Sequence, residues 1–278
     1  WTNAYRDVVV PNYYMLGTPA YYYLLAVRLL VGSYAIPAFL IVSGFYAAFA
    51  AGSSGQMPAT IIRTRIKKFI GPFIIWTFFF FAMQLALPRS VNDVLQTYYY
   101  IPLIVQLYLL TAWLGPVAKK HWKLFLLVTF FIQFAAEGAG YLRLLGVEAA
   151  WVKTAVALTP IWFFPSRIFF FALGLTLGFH RQMFGGWLAG QKYLLFAALL
   201  LSAAFSFWEY QWVDQWIGEQ WLGPNFIGIF RTLYAVLFCF VILAFEKVKL
   251  PWEKQLSNLG VVSLGIYLVN TPAIYITY

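Results

Sequence analysis

The chain has 278 residues, of which 63% are apolar and only 10% are charged, and its formal net charge is +10. Soluble domains carry about 25% charged residues, so this composition excludes an ordinary soluble globular protein. Such an excess of positive charge would suggest nucleic acid in a soluble protein, but here the basic residues lie between apolar segments. We therefore expect a lipid bilayer as partner and no nucleic acid.

Apolar stretches long enough to cross a bilayer, about 17 to 25 residues each, follow one another along the chain. They lie near residues 33–52, 69–88, 98–118, 122–138, 160–180, 192–210, 224–245 and 256–278. The sequence predicts an all-α polytopic bundle of about eight transmembrane helices. Since no linker or long soluble block interrupts these segments, we expect one membrane domain over residues 1–278.

Positive charge collects in every second gap between the apolar segments. These gaps contain Arg63, Arg65, Lys67, Lys68, Lys119, Lys120, Lys123, Arg181, Lys192, Lys247, Lys249 and Lys254. The other gaps hold Arg89, Arg143 and Lys153 together with Asp93, Glu137, Glu148, Glu209, Asp214 and Glu219. Because basic loops stay in the cytoplasm, the first set of gaps is predicted to be cytoplasmic and residues 1–17 to lie outside.

The ends of the chain predict a fragment of a longer protein. Residues 1–17 need an upstream helix to reach the outer side, and the chain stops at Tyr278 inside an apolar run. A cleaved signal sequence is the alternative explanation for the N-terminus. The single cysteine, Cys239, lies in an apolar segment, so we expect no disulfide, no metal site and no covalently bound cofactor.

Three arginines lie in or beside apolar segments, where an unpaired charge costs several kcal/mol. They are Arg28, Arg167 and Arg231. No carboxylate is expected near the middle of the membrane to pair with them, and Glu137 and Glu209 are expected near outer helix ends. Each either extends to the outer interface or points inward. An inward arginine without a partner would favour an anionic group, such as a phosphate, a carboxylate or a developing oxyanion.

Polar and small residues interrupt two of the apolar segments. Ser43 and Gly44 follow Pro37, which predicts either a close helix contact or the wall of a pocket. Asn270, close to Tyr267, precedes a Thr-Pro break and needs a polar partner. The basic run at residues 63–68 is either a topology signal or a site for a polyphosphate ligand at the cytoplasmic face.

Four blocks of the sequence resemble the acyltransferase 3 family of integral-membrane acyltransferases, which includes bacterial O-acetyltransferases. The blocks are residues 36–46 (IPAFLIVSGFY), 63–72 (RTRIKKFIGP), 169–178 (FFFALGLTLG) and 263–272 (SLGIYLVNTP). The second block is similar to a basic turn that follows the first block in the family. The resemblance extends through essentially the whole chain, and about ten helices are expected in a full family member.

The resemblance implies acyl transfer, with acetyl as the most expected group, from acyl-CoA to a hydroxyl of a cell-surface glycan or lipid-linked acceptor. The donor phosphates would bind Arg63, Arg65, Lys67 and Lys68, and the thioester would lie near Ser43, Gly44 and Tyr267. Arg167 or Arg231 would stabilise the oxyanion. The family implies a location in the bacterial inner membrane, with catalysis by positioning rather than through a covalent serine intermediate.

One departure from the family pattern leaves a second function open. The histidine that the family uses as catalytic base would lie on a helix before Trp1, and the family's late histidine is replaced by Asn270. If the gene encodes that first helix, we expect an enzyme. If it does not, the chain is a non-catalytic, acyltransferase-like accessory subunit of a larger membrane complex.

Overall fold

A computed structural model of the protein describes residues 19–83, 95, 98–217, 228–246, 258 and 267–268. All regular structure in these residues is helical, which confirms the all-α prediction. The helices are α1 (Pro19–Ala26), α2 (Gly32–Ala51), α3 (Ala59–Met83), α4 (Tyr100–Lys120), α5 (Trp122–Leu144), α6 (Ala150–Leu158), α7 (Ile168–Phe179), α8 (Arg181–Gly190), α9 (Lys192–Ile217) and α10 (Ile229–Ala244).

Four segments of the described chain are long and apolar enough to cross a membrane. They are Tyr34–Ser54, Tyr100–Lys120, Trp122–Leu144 and Lys192–Val213. Each overlaps a predicted span, so the protein is an integral membrane bundle. Residues 1–17, Arg89 and most of the last predicted span, including Asn270, lie outside the described residues, as does the side chain of Arg28.

Helix α7 forms the centre of the bundle and packs most closely against α2. Gly44 of α2 lies against the backbone of Phe171 and Leu175, while Gly174 of α7 lies against the backbone of Ile41 and Phe45. A Cβ atom on either glycine would collide with main-chain atoms of the other helix. The sequence predicted either a close helix contact or the wall of a pocket at Ser43-Gly44, and Gly44 makes the close helix contact.

An irregular segment precedes α7 and departs from the predicted span. The apolar run begins near residue 160, but α7 begins only at Ile168 and has 12 residues, about 18 Å. Pro160 and Pro165 interrupt the helix in this segment. Irregular backbone at membrane depth requires internal hydrogen-bond partners, and Gln106 of α4 supplies them. Its Nε2 donates to the carbonyl of Trp162 over 2.9 Å, and its Oε1 accepts the N–H of Phe164 over 3.2 Å.

The helix ends that carry most of the predicted basic gaps meet at one end of the bundle. Lys119 donates to the carbonyl oxygen of Ser53, and Arg181 pairs with Glu246 over 3.6 Å. At the other end, Arg143 and Lys153 both pair with the exposed Glu148. The hydrogen bond from Lys153 lowers the pKa of Glu148. Alternate loops thus lie at opposite ends of the bundle; which end is cytoplasmic stays a prediction.

Candidate functional site

The basic run lies inside α3, although the sequence predicted a turn. Because the helix starts at Ala59, all four cations are on its first turns. Arg63, Lys67 and Lys68 are exposed, whereas Arg65 is half-buried. Successive helical residues turn by about 100°, so Arg65 and Lys68 are neighbours on one face and Arg63 and Lys67 on another.

Arg65 is the member of this run that points into the bundle. Its Nη1 donates a hydrogen bond to the hydroxyl of Tyr108 on α4 over 3.1 Å. The guanidinium carbon lies 5.6 Å from the centroid of the same ring, within cation–π range. Tyr108 is almost completely buried. The buried side chain of Tyr108 therefore determines the position of the Arg65 guanidinium.

Aromatic rings continue from Tyr108 towards two other predicted site residues. Phe69 of α3 lies 6.1 Å from the Tyr108 ring and 6.4 Å from the Tyr100 ring. The hydroxyl of Tyr267 accepts the backbone N–H of Tyr100 over 3.3 Å, and their rings are 5.8 Å apart. The Tyr100 ring also lies 6.0 Å from the ring of Phe39, which precedes Ser43 by about one turn of α2. The structure thus connects Arg65 and Tyr267 through one aromatic cluster, which we call the tyrosine cluster, and this cluster contacts α2 about one turn from Ser43.

Arg167 is buried and has a carboxylate partner, so the expectation that it is unpaired was wrong. Its Nη1 lies 3.0 Å from Oε1 of Glu137 and donates to the carbonyl of Ser166 over 2.7 Å. Glu137 reaches it because α5 continues to Leu144, which places the glutamate two turns inside the helix. Within the described part of the chain, the buried Nε of Arg167 has no hydrogen-bond partner.

Glu137 joins three helices. Its Oε1 accepts hydrogen bonds from Arg167 of the α7 N-terminus and from Gln133 of α5 over 2.9 Å. Its Oε2 accepts from the Thr232 hydroxyl of α10 over 3.3 Å. Gln133 also accepts the N–H of Phe169 over 3.0 Å. Because both oxygens are engaged, this carboxylate orients Arg167 rather than serving as a free base.

Arg231 is also buried, but it sits nearer the helix end than the sequence suggested. It is the third residue of α10, and it interacts electrostatically with Glu209 of α9. Glu209 itself accepts the N–H groups of Ile229 and Phe230 over 2.8 and 3.1 Å. Gly228 lies so close to this carboxylate that a Cβ atom there would displace it. A glutamate from α9 therefore caps the first turn of α10.

Two arginines and two glutamates thus lie together, largely buried, between α5, α7, α9 and α10. Sequence reasoning had assigned Glu137 and Glu209 to helix ends and had missed Gln106, Gln133 and Thr232. The sequence feature that could have identified the two glutamines is the presence of amide side chains in otherwise apolar spans. These residues, which we call the buried polar network, lie close to Gly44. Gly44 contacts the backbone of Phe171. Phe171 follows Arg167 by four residues, which is about 6 Å along a helix.

Neither histidine joins these groups. His121 is exposed, and Nε2 of His180 lies 3.4 Å from the carbonyl of Ala118 at the basic end of the bundle. Among the described residues, no cluster of three or more His, Cys, Asp or Glu is suited to a metal ion. Cys239 is buried in α10, in agreement with its place in an apolar segment.

The fold and the buried polar groups define a helical integral membrane protein with a polar interior. A family model described as an acyltransferase domain matches residues 8–278. The chain therefore belongs to the acyltransferase 3 family, as its four sequence blocks indicated, and is a membrane acyltransferase in its general class. Comparisons with curated proteins and with solved structures gave no significant match.

Proposed function

We propose that the protein transfers an acyl group, with acetyl as the first choice, from acyl-CoA to a hydroxyl of a cell-surface glycan or lipid-linked acceptor. The observation that carries this proposal is the orientation of Arg65. It extends from the basic end of the bundle into the tyrosine cluster, which contains Tyr267 and contacts α2 about one turn from Ser43. This arrangement supports a donor site in which Arg65 binds a phosphate and the rest of the donor follows the tyrosine cluster into the bundle.

The donor binds at the basic end, which the positive-inside rule assigns to the cytoplasm of a bacterial inner membrane. Its phosphates contact the α3 cations Arg63, Arg65, Lys67 and Lys68. Arginine suits this task because its planar guanidinium binds phosphate oxygens in two places. CoA is a substrate here, so no bound cofactor is required.

The thioester lies near Ser43, Gly44 and Tyr267, and the acceptor enters from the opposite end. The acceptor oxygen adds to the thioester carbonyl, forming the new C–O bond and an oxyanion, and the C–S bond breaks as that oxyanion collapses. If the gene encodes the family's first helix, its histidine takes the hydroxyl proton, and CoA leaves as the thiolate. Arg167, oriented by Glu137, and Arg231 stabilise the oxyanion.

Two measurements test the proposal. Purified full-length protein in detergent is titrated with acetyl-CoA, and surface glycan from the native host is compared by NMR with glycan from a deletion strain. We expect binding, and loss of O-acetyl groups on deletion. Absence of acetyl-CoA binding together with unchanged acylation would favour the accessory-subunit alternative.

Arg65→Ala and Arg63→Ala separate a donor site from a topology signal. The two arginines lie on different faces of α3, and Arg63 is exposed. Loss of a charge-assisted phosphate contact costs about 1.5–3 kcal/mol, so Arg65→Ala should weaken acetyl-CoA affinity roughly ten- to hundredfold. Arg63→Ala should have a smaller effect, because water screens the phosphate contact of an exposed arginine. Wild-type affinity in both variants would mean that the run only directs topology.

A further inference from the structure

The geometry points to Tyr108 as a positioning residue for the donor: its hydroxyl holds the Arg65 guanidinium in the orientation that binds a CoA phosphate. This inference rests on the donor site proposed above. It assigns a role to a residue of α4 that carries no charge and that lies far from the basic run in the sequence. The contact that defines it is the 3.1 Å hydrogen bond from Arg65 Nη1 to the Tyr108 hydroxyl.

Tyr108 is held rigidly by its neighbours. Its ring lies 6.1 Å from Phe69 and 6.0 Å from Phe171 of the central helix, and only 2% of the residue is exposed. A ring packed on two sides cannot turn freely, so its hydroxyl oxygen has a fixed position. That oxygen is therefore a hydrogen-bond acceptor in a fixed position, and it can orient the longer and more mobile side chain of Arg65.

Arg65 keeps most of its binding capacity in this arrangement. A guanidinium has five N–H donors, and the contact with Tyr108 uses one of them. Among the described residues, Tyr108 is the one hydrogen-bond partner of the Arg65 guanidinium. The remaining donors are available to a phosphate, and the side chain has already lost part of its rotamer freedom. Pre-organisation of this kind improves affinity because less entropy is lost on binding.

The position of Tyr108 also sets the depth of the contact. Gly115 of α4 lies against the carbonyl of Gly55 in the loop at the basic end. Tyr108 precedes Gly115 by seven residues, so it lies about 10 Å further into the bundle. Arg65 is therefore held deeper than the surrounding loop, on the side that leads through Phe69 to Tyr100. A phosphate bound there would direct the rest of the donor towards the tyrosine cluster.

The test is a double-mutant cycle with acetyl-CoA as the probe. Tyr108→Phe removes the hydroxyl and keeps the packed ring. We expect it to raise the Kd and the KM for acetyl-CoA roughly three- to tenfold, as loss of one hydrogen bond predicts, with kcat nearly unchanged. In an Arg65→Ala background, the same substitution should have no further effect, because its partner is gone.

Tyr46→Phe is the matched control, since Tyr46 of α2 is 56% exposed and loses a hydroxyl of the same kind. It should bind acetyl-CoA like the wild type. If Tyr108→Phe does not accumulate, Tyr108→Leu is the second variant. It keeps an apolar side chain at the site but has no hydroxyl to hold Arg65, so it should weaken binding at least as much.

The outcomes distinguish this inference from the proposed function. No acetyl-CoA binding by the wild type would overturn both. Wild-type binding that Arg65→Ala weakens, but that Tyr108→Phe or Tyr108→Leu leaves unchanged, would overturn the role of Tyr108 alone. Additive effects of Tyr108→Phe and Arg65→Ala would also overturn it, since the tyrosine would then act independently of the arginine.

Discussion

At the scale of single residues, each of the two buried arginines lies near a carboxyl group. Arg167 has Glu137 at 3.0 Å, and Arg231 has Glu209 in its surroundings. In hydrocarbon the cost of an unpaired ion is large, while a satisfied pair costs far less. The carboxylates therefore permit the arginines to lie inside the bundle, where an oxyanion would need them.

Glu137→Gln should destabilise the protein strongly. The substitution leaves Arg167 as an uncompensated buried charge, and breaking a buried pair in this way costs about 3–5 kcal/mol. Thermal unfolding of the purified protein in detergent measures the effect, with Glu148→Gln as control because that carboxylate is exposed. The double variant Glu137→Gln/Arg167→Met should recover part of the loss. Equal stability of Glu137→Gln and the control would contradict this account.

Arg231→Gln should reduce acyl transfer while the protein still inserts into the membrane. Arg231 is only 5% exposed, so its side chain does not reach the surface of the bundle. Arg231→Lys keeps the charge but loses the planar fork, so its activity should lie between that of Gln and the wild type. The measurement is O-acetylation of surface glycan at matched protein abundance. Wild-type acylation in both variants would remove Arg231 from the proposed site.

At the scale of elements, the contact between α2 and α7 depends on glycine. Gly44 and Gly174 bring the two backbones together where any larger side chain would collide. This contact holds Ser43 at the level of the α7 residues that follow Arg167. The spacing between the tyrosine cluster and the buried polar network thus depends on the absence of two methyl groups.

Gly44→Ala should therefore destabilise the bundle, because the added methyl group meets the backbone of Phe171 and the helices have to separate. Overpacking of this kind costs about 1–3 kcal/mol. Gly140→Ala on α5 is the control, since no atom lies within 4 Å of its added Cβ. It should be neutral or slightly stabilising. A Gly44→Ala variant as stable as Gly140→Ala would show that α2 can move without loss.

The sequence predicted the positions of the long helices well, but it predicted the contacts between polar residues inside the bundle poorly. Apolar length alone placed α4 and α5 within a few residues of their observed starts. It missed the start of α7, because Phe163 and Phe164 are as apolar as the helix that follows them. The partner of Arg167 was missed for another reason. Which residues meet across two helices depends on their relative rotation, and one sequence does not specify that rotation.

At the scale of the whole molecule, charge is separated between the two ends of the bundle. Lys119 and Arg181 lie at one end, and the Glu148 pairs lie at the other. The segregation supports the predicted alternation of loops. That the chain forms one membrane domain stays a prediction, as does the cytoplasmic location of the basic end.

Cysteine labelling in intact cells tests that orientation. In a Cys239→Ser background, an impermeant thiol reagent should label Glu148→Cys and leave Lys67→Cys and Lys119→Cys unlabelled. Permeabilised cells supply the control, since all three exposed positions should then react. Labelling of Lys67→Cys but not Glu148→Cys in intact cells would invert the topology and place the donor site on the wrong side.

The pairing of buried charges also bears on how the chain is made. Glu137 precedes Arg167 by 30 residues, and Glu209 precedes the α10 N–H group that it binds by 20 residues. At a synthesis rate of about 5–20 residues per second, each carboxylate waits on the order of seconds before its partner leaves the ribosome. A membrane-embedded acid is therefore unmatched only briefly during insertion. Slowing translation between residues 137 and 167 would lengthen that interval, and more of the nascent chain would be lost to quality-control proteolysis.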